Sequence, residues 1–570
     1  MSENQQELED LVRSHFIEGG VRPVAVRVRH FPGERIVIVE VASQLERAIE
    51  LGNRLDPQIE DGFVTVRLAP ESRAPSEASV ESIRDERVTR LVGLLDARSR
   101  TSEAQPSLRY IEDVAGRLQV ATSPRHHLIF GRRGAGKSAL MLEARARVER
   151  AGAQTLWLNV QTVRNLGASG AFLTLASRLC EIPVSHFASR SPTPQSVHLG
   201  REIKKRVDDL LARRGEERAG IDLVIPELNA LLRLYCTETQ APIFIFLDDV
   251  HYLAFADVPE FLDRVHAVSR DNPVWIKVAG IRHQMRWFRH EPPTGLQIPH
   301  DAIEINLDIT LQEPERAKLF LQSVLDSFVD ECGARPRRAF ISAPALDRLV
   351  LASGAVPRDF ATLCAASIQI ARSRSNARTT GVQDVNEAAG KAAQAKLQEL
   401  DEDAAAALGT SAPVLSALQV IRKFALDENE YSFFRVELSA KEQLGEEYAL
   451  IQRLLDLRIL HLINASLSDP HHVGRRSEVY LLDLSEYTGA RLKQKLWVLD
   501  LESGHLSLKR TRSSEAPRVG DNARRLVAIL RLGPSFPLEK LSAIVAPPAP
   551  GRSARRKRKP AGRKCPARPS

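Results

Sequence analysis

His126-His127-Leu128-Ile129-Phe130-Gly131-Arg132-Arg133-Gly134-Ala135-Gly136-Lys137-Ser138-Ala139-Leu140 is the stretch whose reading decides the fold. An apolar run feeds a G-x-x-x-x-G-K-S loop, and a helix-forming run from Ala139 to Arg150 follows. This is a strand, a phosphate-binding loop and a helix. Successive backbone N–H groups of such a loop wrap phosphate oxygens, and only glycine lets the backbone come so close, which suits Gly131, Gly134 and Gly136. The whole loop, Gly131, Arg132, Arg133, Gly134, Ala135, Gly136, Lys137 and Ser138, is therefore the candidate cradle. The N-terminus of the following helix adds its positive dipole end. Lys137 is placed to reach the β- and γ-phosphates of a nucleoside triphosphate, and the Ser138 hydroxyl to ligate Mg²⁺. A ligand-free Gly-rich turn is the bland alternative; the complete motif, with strand and helix on either side, weighs against it.

A second motif lies downstream. Ile243-Phe244-Ile245-Phe246-Leu247 is wholly apolar and ends in Asp248-Asp249. A buried strand of this kind delivers a carboxylate at its C-terminal end, where ligands of a parallel sheet gather. Asp248 is expected to bind Mg²⁺, directly or through water, and Asp249 to polarise an attacking water. Taken alone, the pair reads equally well as a helix cap.

The 570 residues suggest several domains. The start of the chain, Met1 to Glu7, is polar and acidic, unlike a signal peptide. No apolar run approaches the roughly 18 residues of a membrane span. The five cysteines carry no C-x-x-C spacing and read as buried thiols in a reducing, cytoplasmic setting. The net charge of +8 is unevenly spread: nine of the 80 Lys/Arg lie in 551–570 without any Asp or Glu, so the remaining 71 face 72 acidic residues. Basicity therefore belongs to one tail and not to the body.

In chain order, 1–70 reads as a small α/β accessory domain: Val24 to Val28, Arg35 to Val41 and Phe63 to Leu68 are β-rich, and Leu45 to Leu55 has helical spacing. Residues 71–107 read as a linker with one helix, its stripe formed by Ile83, Val88, Leu91, Leu94 and Leu95. Residues 108–309 alternate helix and strand, beginning with a helix over Tyr110 to Leu118, and imply a parallel sheet covered on both faces. Residues 310–400 read as helices only, a lid. Residues 411–487 read as three helices, the second over Phe433 to Ala440, followed by a hairpin (Ile459 to Ile463 with Glu478 to Leu482), which is a winged-helix layout. Residues 488–546 give no clear pattern beyond a helix at Arg524 to Leu532. Residues 547–570, rich in Pro, Arg and Lys, are expected to be disordered. The expected fold class is α/β: a P-loop NTPase parallel sheet with helical lid, a small N-terminal α/β domain and a C-terminal winged-helix domain.

On these residues, 108–400 resembles the P-loop ATPases of the AAA+ and STAND groups, particularly the Orc/Cdc6-like bacterial ATPases. Gly131 to Ser138 match Walker A and Ile243 to Asp249 match Walker B. Val274 to Ala279 falls where those families carry sensor 1, and Ser353-Gly354-Ala355-Val356-Pro357-Arg358-Asp359-Phe360 where they carry sensor 2. The resemblance implies that Arg358 reaches the γ-phosphate from the lid, and an Arg fork grips phosphate well. Three departures stand out. Asp249 replaces the more usual Glu. The sensor 1 strand ends Val278-Ala279-Gly280, with Arg282 and His283 the nearest polar residues. No arginine finger can be assigned between Arg286 and Arg289. All three fit a slow nucleotide switch as well as a fast motor.

The implied activity is Mg²⁺-dependent ATP hydrolysis coupled to nucleic-acid (DNA) binding or remodelling. The third helix of 411–487 is acidic for a DNA reader, so Arg475, Arg476, His471 and His472 on the wing, together with the basic tail, are the candidate DNA contacts. The rival reading is a STAND-type signal-transduction switch acting on protein partners. A protein partner of 1–70 and a homo-oligomer are further expectations; a metabolic kinase is disfavoured, since no acceptor site is visible.

Overall fold

A computed structural model of the chain describes residues 3–31, 34–41, 45–59, 62–68, 79–97, 110–111, 116–188, 192–213, 218–392, 412–488, 495–511 and 526–545. The basic tail and the expectation of disorder attached to it lie outside these residues, as does Cys565. The chain divides into two compact units, Met1–Ser79 and Val80–Ser570.

The first unit comprises α1 (Glu3–Glu18), β1 (Pro23–Phe31), β2 (Glu34–Val41), α2 (Leu45–Leu55) and β3 (Gly62–Leu68). The central strand β2 pairs antiparallel with β1 and parallel with β3. Alternate residues Val37, Val39 and Val41 point into the core, where they meet Val12 and Phe16 of α1 and Ala48 and Leu55 of α2.

The second unit begins with α3 (Glu86–Ala97) and α4 (Arg117–Thr122). Tyr110 and Ile111 are not helical, and α4 starts later than the sequence suggested because Gly116 turns left-handed (φ 61°) at its head. An α/β run follows: β4 (His127–Phe130), α5 (Lys137–Arg150), β5 (Gln154–Asn159), α6 (Gly167–His186), α7 (Gln195–Ala212), α8 (Arg218–Thr239), β6 (Ile243–Asp248), α9 (Val258–Ser269), β7 (Val274–Gly280), the small hairpin β8 (Phe288–His290) and β9 (Pro293–Gly295), and β10 (Ile303–Asn306). The five long-range strands form one parallel sheet, ordered β10-β4-β7-β6-β5. Side chains alternate between its faces. Leu128, Phe130, Ile243, Ile245, Leu247, Ile276 and Val278 meet α6 to α9 on one side. Ile129, Phe244, Phe246, Ala279 and Ile305 meet α4 and α5 on the other. Burial on both faces explains why β6 reads as an unbroken apolar run.

Helices α10 (Pro314–Glu331), α11 (Ala343–Ala352), α12 (Pro357–Ser373) and α13 (382–392) come next. Helix α3 packs into the same core, through Val88, Leu91 and Leu95. A reciprocal clasp holds it there. Arg84 Nη2 donates to the carbonyls of Arg374 (2.8 Å) and Ser375 (3.0 Å), and Arg372 Nε donates to Ile83 O (2.6 Å).

The last part holds α14 (Ala412–Arg422), β11 (Phe433–Glu437), α15 (Leu438–Gln443), α16 (Gly445–Asp456), β12 (Leu460–Ser468), β13 (Arg476–Leu482), β14 (Trp497–Glu502), β15 (His505–Arg510), α17 (Leu526–Arg531) and α18 (Ser542–Val545). Strands β11, β13 and β12 form an antiparallel sheet in that order. Phe433 to Glu437 is thus a strand where the sequence suggested a helix: pairing with β13 fixes it, and both Phe433 and Phe434 are fully buried. Its five residues are too few for periodicity to decide. Residues of α3, α10 to α12, α14, α16 and β11 to β15 share one continuous apolar core.

Candidate nucleotide-binding site

The C-terminal ends of β4, β6, β7 and β10 open on one edge of the sheet, and the site is built there. Residues Gly131 to Ser138 link β4 to α5. Gly134 (φ 78°) and Gly136 (φ 95°) are left-handed, a region that glycine enters without strain. A Cβ on Gly134 would also lie 2.7 Å from Arg358 Cβ and 3.0 Å from Val356 Cγ1, so the lid touches the loop here. Helix α5 starts at Lys137 with no side-chain cap, which directs its first N–H groups at the loop. Ala, Leu, Glu and Arg dominate α5, and Gly152 (φ 88°) closes it with backbone bonds from Gly152 to Glu149 and Ala153 to Val148.

Lys137 is buried, and its Nζ donates to the carbonyls of Gly131 (2.8 Å) and Arg132 (3.2 Å). Burial pulls its pKa down, while Asp249, Asp248 and Asp308 oppose that fall. Ser138 Oγ donates to Asp248 Oδ2 at 2.7 Å. The other oxygen of Asp248 accepts the Asp249 N–H at 3.0 Å. Burial, then the charge of Asp249, pushes the Asp248 carboxyl up to about 6. Asp249 has φ 57°, an uncommon conformation for a residue with a side chain. Its carboxyl is raised by burial; Lys137, Arg133 and a hydrogen bond from the Asn159 side chain hold the rise back.

A hydroxyl and a carboxylate side by side, both oxygen donors, suit a hard divalent cation. The residues present therefore fit Mg²⁺, and Ser138 and Asp248 are the pair that would hold it.

The arginines of the loop go different ways. Arg132 is turned away from the cradle: its own N–H donates to Asp308 Oδ1 (2.8 Å), and its Nη2 to the carbonyls of Ile309 (2.9 Å) and Gly354 (3.2 Å). It is an anchor between the loop, the end of β10 and the lid. Ala135 donates its N–H to Arg132 O (3.1 Å), closing a turn inside the loop. Arg133 donates to Tyr252 Oη (3.1 Å). Arg358, the second residue of α12, donates its backbone N–H to Gly134 O at 3.4 Å. Between loop and lid lies a small cleft, lined on its apolar side by Ala135, Leu307, Ile309, Phe320, Val356 and Pro357.

The C-terminal part also reaches this edge. Asp456 at the end of α16 is buried and accepts from Gln284 Nε2 (3.3 Å), just beyond β7. Burial pushes its carboxyl up to about 7. Arg458 Nε donates to Asp359 Oδ2 (2.8 Å) on α12, both side chains buried. The ring of His461, bonded to Asp483 (2.9 Å), lies where a Cβ on Gly354 would stand only 2.0 Å away. At the departure noted at β7, Arg282 pairs with Glu304 and stacks 4.7 Å from the Phe130 ring centroid.

Residues 109–276 match the AAA ATPase domain. The match makes this part of the chain similar to nucleotide-binding P-loop ATPases of the AAA+ type. No match was found among curated proteins. Among solved structures, the Walker-type ATPase PABY2304 of Pyrococcus abyssi is similar at 15% identity, covering 67% of this chain and 97% of its own, with a TM-score of 0.37. A RuvB variant of Thermotoga maritima is similar at 12% identity, covering 64% and 88%, with a TM-score of 0.28. Both scores are low, and the reading rests on the family match and the geometry of the site. Among the described residues, no helix is long and apolar enough to cross a membrane.

Reading the sequence alone missed Asn159, His251, Asp308, Gln284 and Asp456. Asn159 is signalled only by its place at the end of a strand; the others meet the site through tertiary packing.

Proposed function

We propose that the chain binds ATP with Mg²⁺ between the phosphate loop and the lid, hydrolyses it slowly, and passes the nucleotide state to residues 412–487. The observation that carries this reading is the 2.7 Å bond between Ser138 and Asp248, which joins the two motifs beside the buried Lys137. In this mechanism the backbone of Gly131, Arg133, Gly134, Ala135, Gly136, Lys137 and Ser138 lies along the phosphates, Arg132 serving as an anchor. Lys137 neutralises charge on the β- and γ-phosphates. Asp249, oriented by Asn159, accepts the proton of the attacking water. Bound Mg²⁺ supplies Lewis-acid charge at the phosphate oxygens. Arg358 reads the γ-phosphate from the lid. Asp249 in place of Glu and the apolar end of β7 support slow turnover.

For the output we propose a winged-helix reading of 412–487, with DNA as the first candidate partner. Its support is the β12–β13 loop, where His471, His472, Val473, Arg475 and Arg476 are exposed, together with the basic tail. A STAND-type switch acting on protein partners is favoured by a different observation. Helix α16, the element that would enter a groove, buries Glu447, Tyr448, Leu450, Ile451, Leu454 and Asp456. The test is ATP turnover by wild type and Lys137→Ala, with and without DNA, repeated after deletion of 547–570. Equal turnover in wild type and Lys137→Ala refutes the site. Turnover and binding that ignore DNA in every form refute the DNA reading and leave the switch.

A further inference from the structure

We propose that His251 is a further nucleotide-contacting residue of this site, donating a ring N–H to the terminal phosphate of a bound nucleoside triphosphate. The inference rests on the ATP-site reading above. It starts from an imbalance: both ring nitrogens of His251 are buried, and neither has a hydrogen-bond partner among the described residues. Leaving a buried polar group unsatisfied is costly, and native structures rarely tolerate it without a reason. A ligand that supplies the missing partner is such a reason.

The place of the ring says which ligand. His251 lies in the single turn Val250–Tyr252 that follows Asp249 at the end of β6. Its ring is 4.6 Å from that of Tyr252, centroid to centroid. Tyr252 is itself fixed to the phosphate loop, through the bond from Arg133. The charged groups that act on His251 are Lys137 and Arg133, two of the three cations of that loop. An imidazole beside two cations of a phosphate loop faces an anion site. Burial, reinforced by these cations, holds its pKa well below the usual histidine range, so it is neutral at pH 7 and keeps one N–H donor.

The neighbouring strand leaves this position open. Val278, Ala279 and Gly280 close β7 without a polar side chain, and Arg282 is occupied by Glu304, Phe130 and Trp287. A donor carried by the turn after β6 would separate triphosphate from diphosphate, because only the former extends past Lys137 toward Asp249.

The experiment measures Kd for ATPγS and for ADP, each with Mg²⁺, by isothermal calorimetry on the full chain, in wild type, His251→Ala and Lys137→Ala. The expected result for His251→Ala is a loss of about tenfold in ATPγS affinity, with ADP affinity held within about twofold. An equal loss for both nucleotides marks a structural role and overturns the proposal. Unchanged ATPγS affinity overturns it as well. If Lys137→Ala binds both nucleotides as wild type does, the underlying ATP-site reading fails instead.

Discussion

The buried pair Arg458–Asp359 offers a quantitative test of how the lid is held to the C-terminal part. Only 3% of the Arg458 side chain and 10% of the Asp359 side chain are exposed, at a separation of 2.8 Å. Replacing Arg458 with Met leaves a buried carboxylate without its cation, a loss of about 3–5 kcal/mol. Asp359 sits in the first turn of α12, where the helix dipole offsets about 0.3–1 kcal/mol, so the expected loss is near 3 kcal/mol. Replacing both residues, Arg458→Met with Asp359→Leu, removes the stranded charge and restores most of that stability. Arg458 has φ 61°, but this backbone strain is common to both Met variants and cancels in a double-mutant cycle. Urea unfolding, followed in parallel by far-UV circular dichroism and intrinsic fluorescence, gives the four stabilities. A coupling energy near 2 kcal/mol is expected; one below about 0.5 kcal/mol would refute the reasoning.

Asp249→Asn is expected to lower ATP turnover by about 10²–10⁴-fold with ATP affinity retained, and a variant that turns over normally excludes Asp249 as the base. Ser138→Ala should raise the Mg²⁺ concentration for half-maximal turnover by about tenfold, the equivalent of 1.4 kcal/mol, in a Mg²⁺ titration. Asp456 gives a pH prediction. Its folded carboxyl is raised from 3.8 to about 7, so its stabilising contribution is complete below about pH 4 and is lost as pH rises through 7, a span on the order of 4 kcal/mol. Melting temperatures of wild type and Asp456→Asn between pH 4 and pH 8 should diverge upward in pH, the variant becoming the more stable; parallel curves would remove Asp456 as the cause. Gly354→Ala brings a Cβ within 2.0 Å of the His461 ring at φ 55°, and a loss of about 2–4 kcal/mol is expected in the same unfolding assay.

The parallel sheet was legible, and the candidate site residues come together at one edge of it, because the signals of both motifs are local. Gly131 to Ser138 is one turn between one strand and one helix, and Asp248 is the next residue after an apolar strand. The contact between Ser138 and Asp248 could be expected from the pair of motifs, although 110 residues separate them. What stayed hidden depends on distant packing. The sequence marks Arg132 as a member of the cradle, yet Asp308 and Gly354 draw its N–H and guanidinium away. Asp456 reads as an ordinary helix-end acid until burial against Gln284 is seen. The strand at Phe433 to Glu437 depends on its partner β13, and the stripe of α3, read as part of a linker, finds its partners in α10 and α12, more than 200 residues downstream.

The continuous apolar core running from α3 through α12 to β15 has a mechanical consequence. The sheet keeps its own two cores, whereas everything from α10 onward is cast as one solid. Among the described residues, a displacement at Arg358 is therefore expected to carry through this shared core to the β12–β13 hairpin. The chain passes from the sheet's cores to this one between Leu307 and Gln312, where it leaves β10 for α10 beside the Asp308–Arg132 anchor. A tilt at that junction is expected to move the lid and the β12–β13 hairpin together.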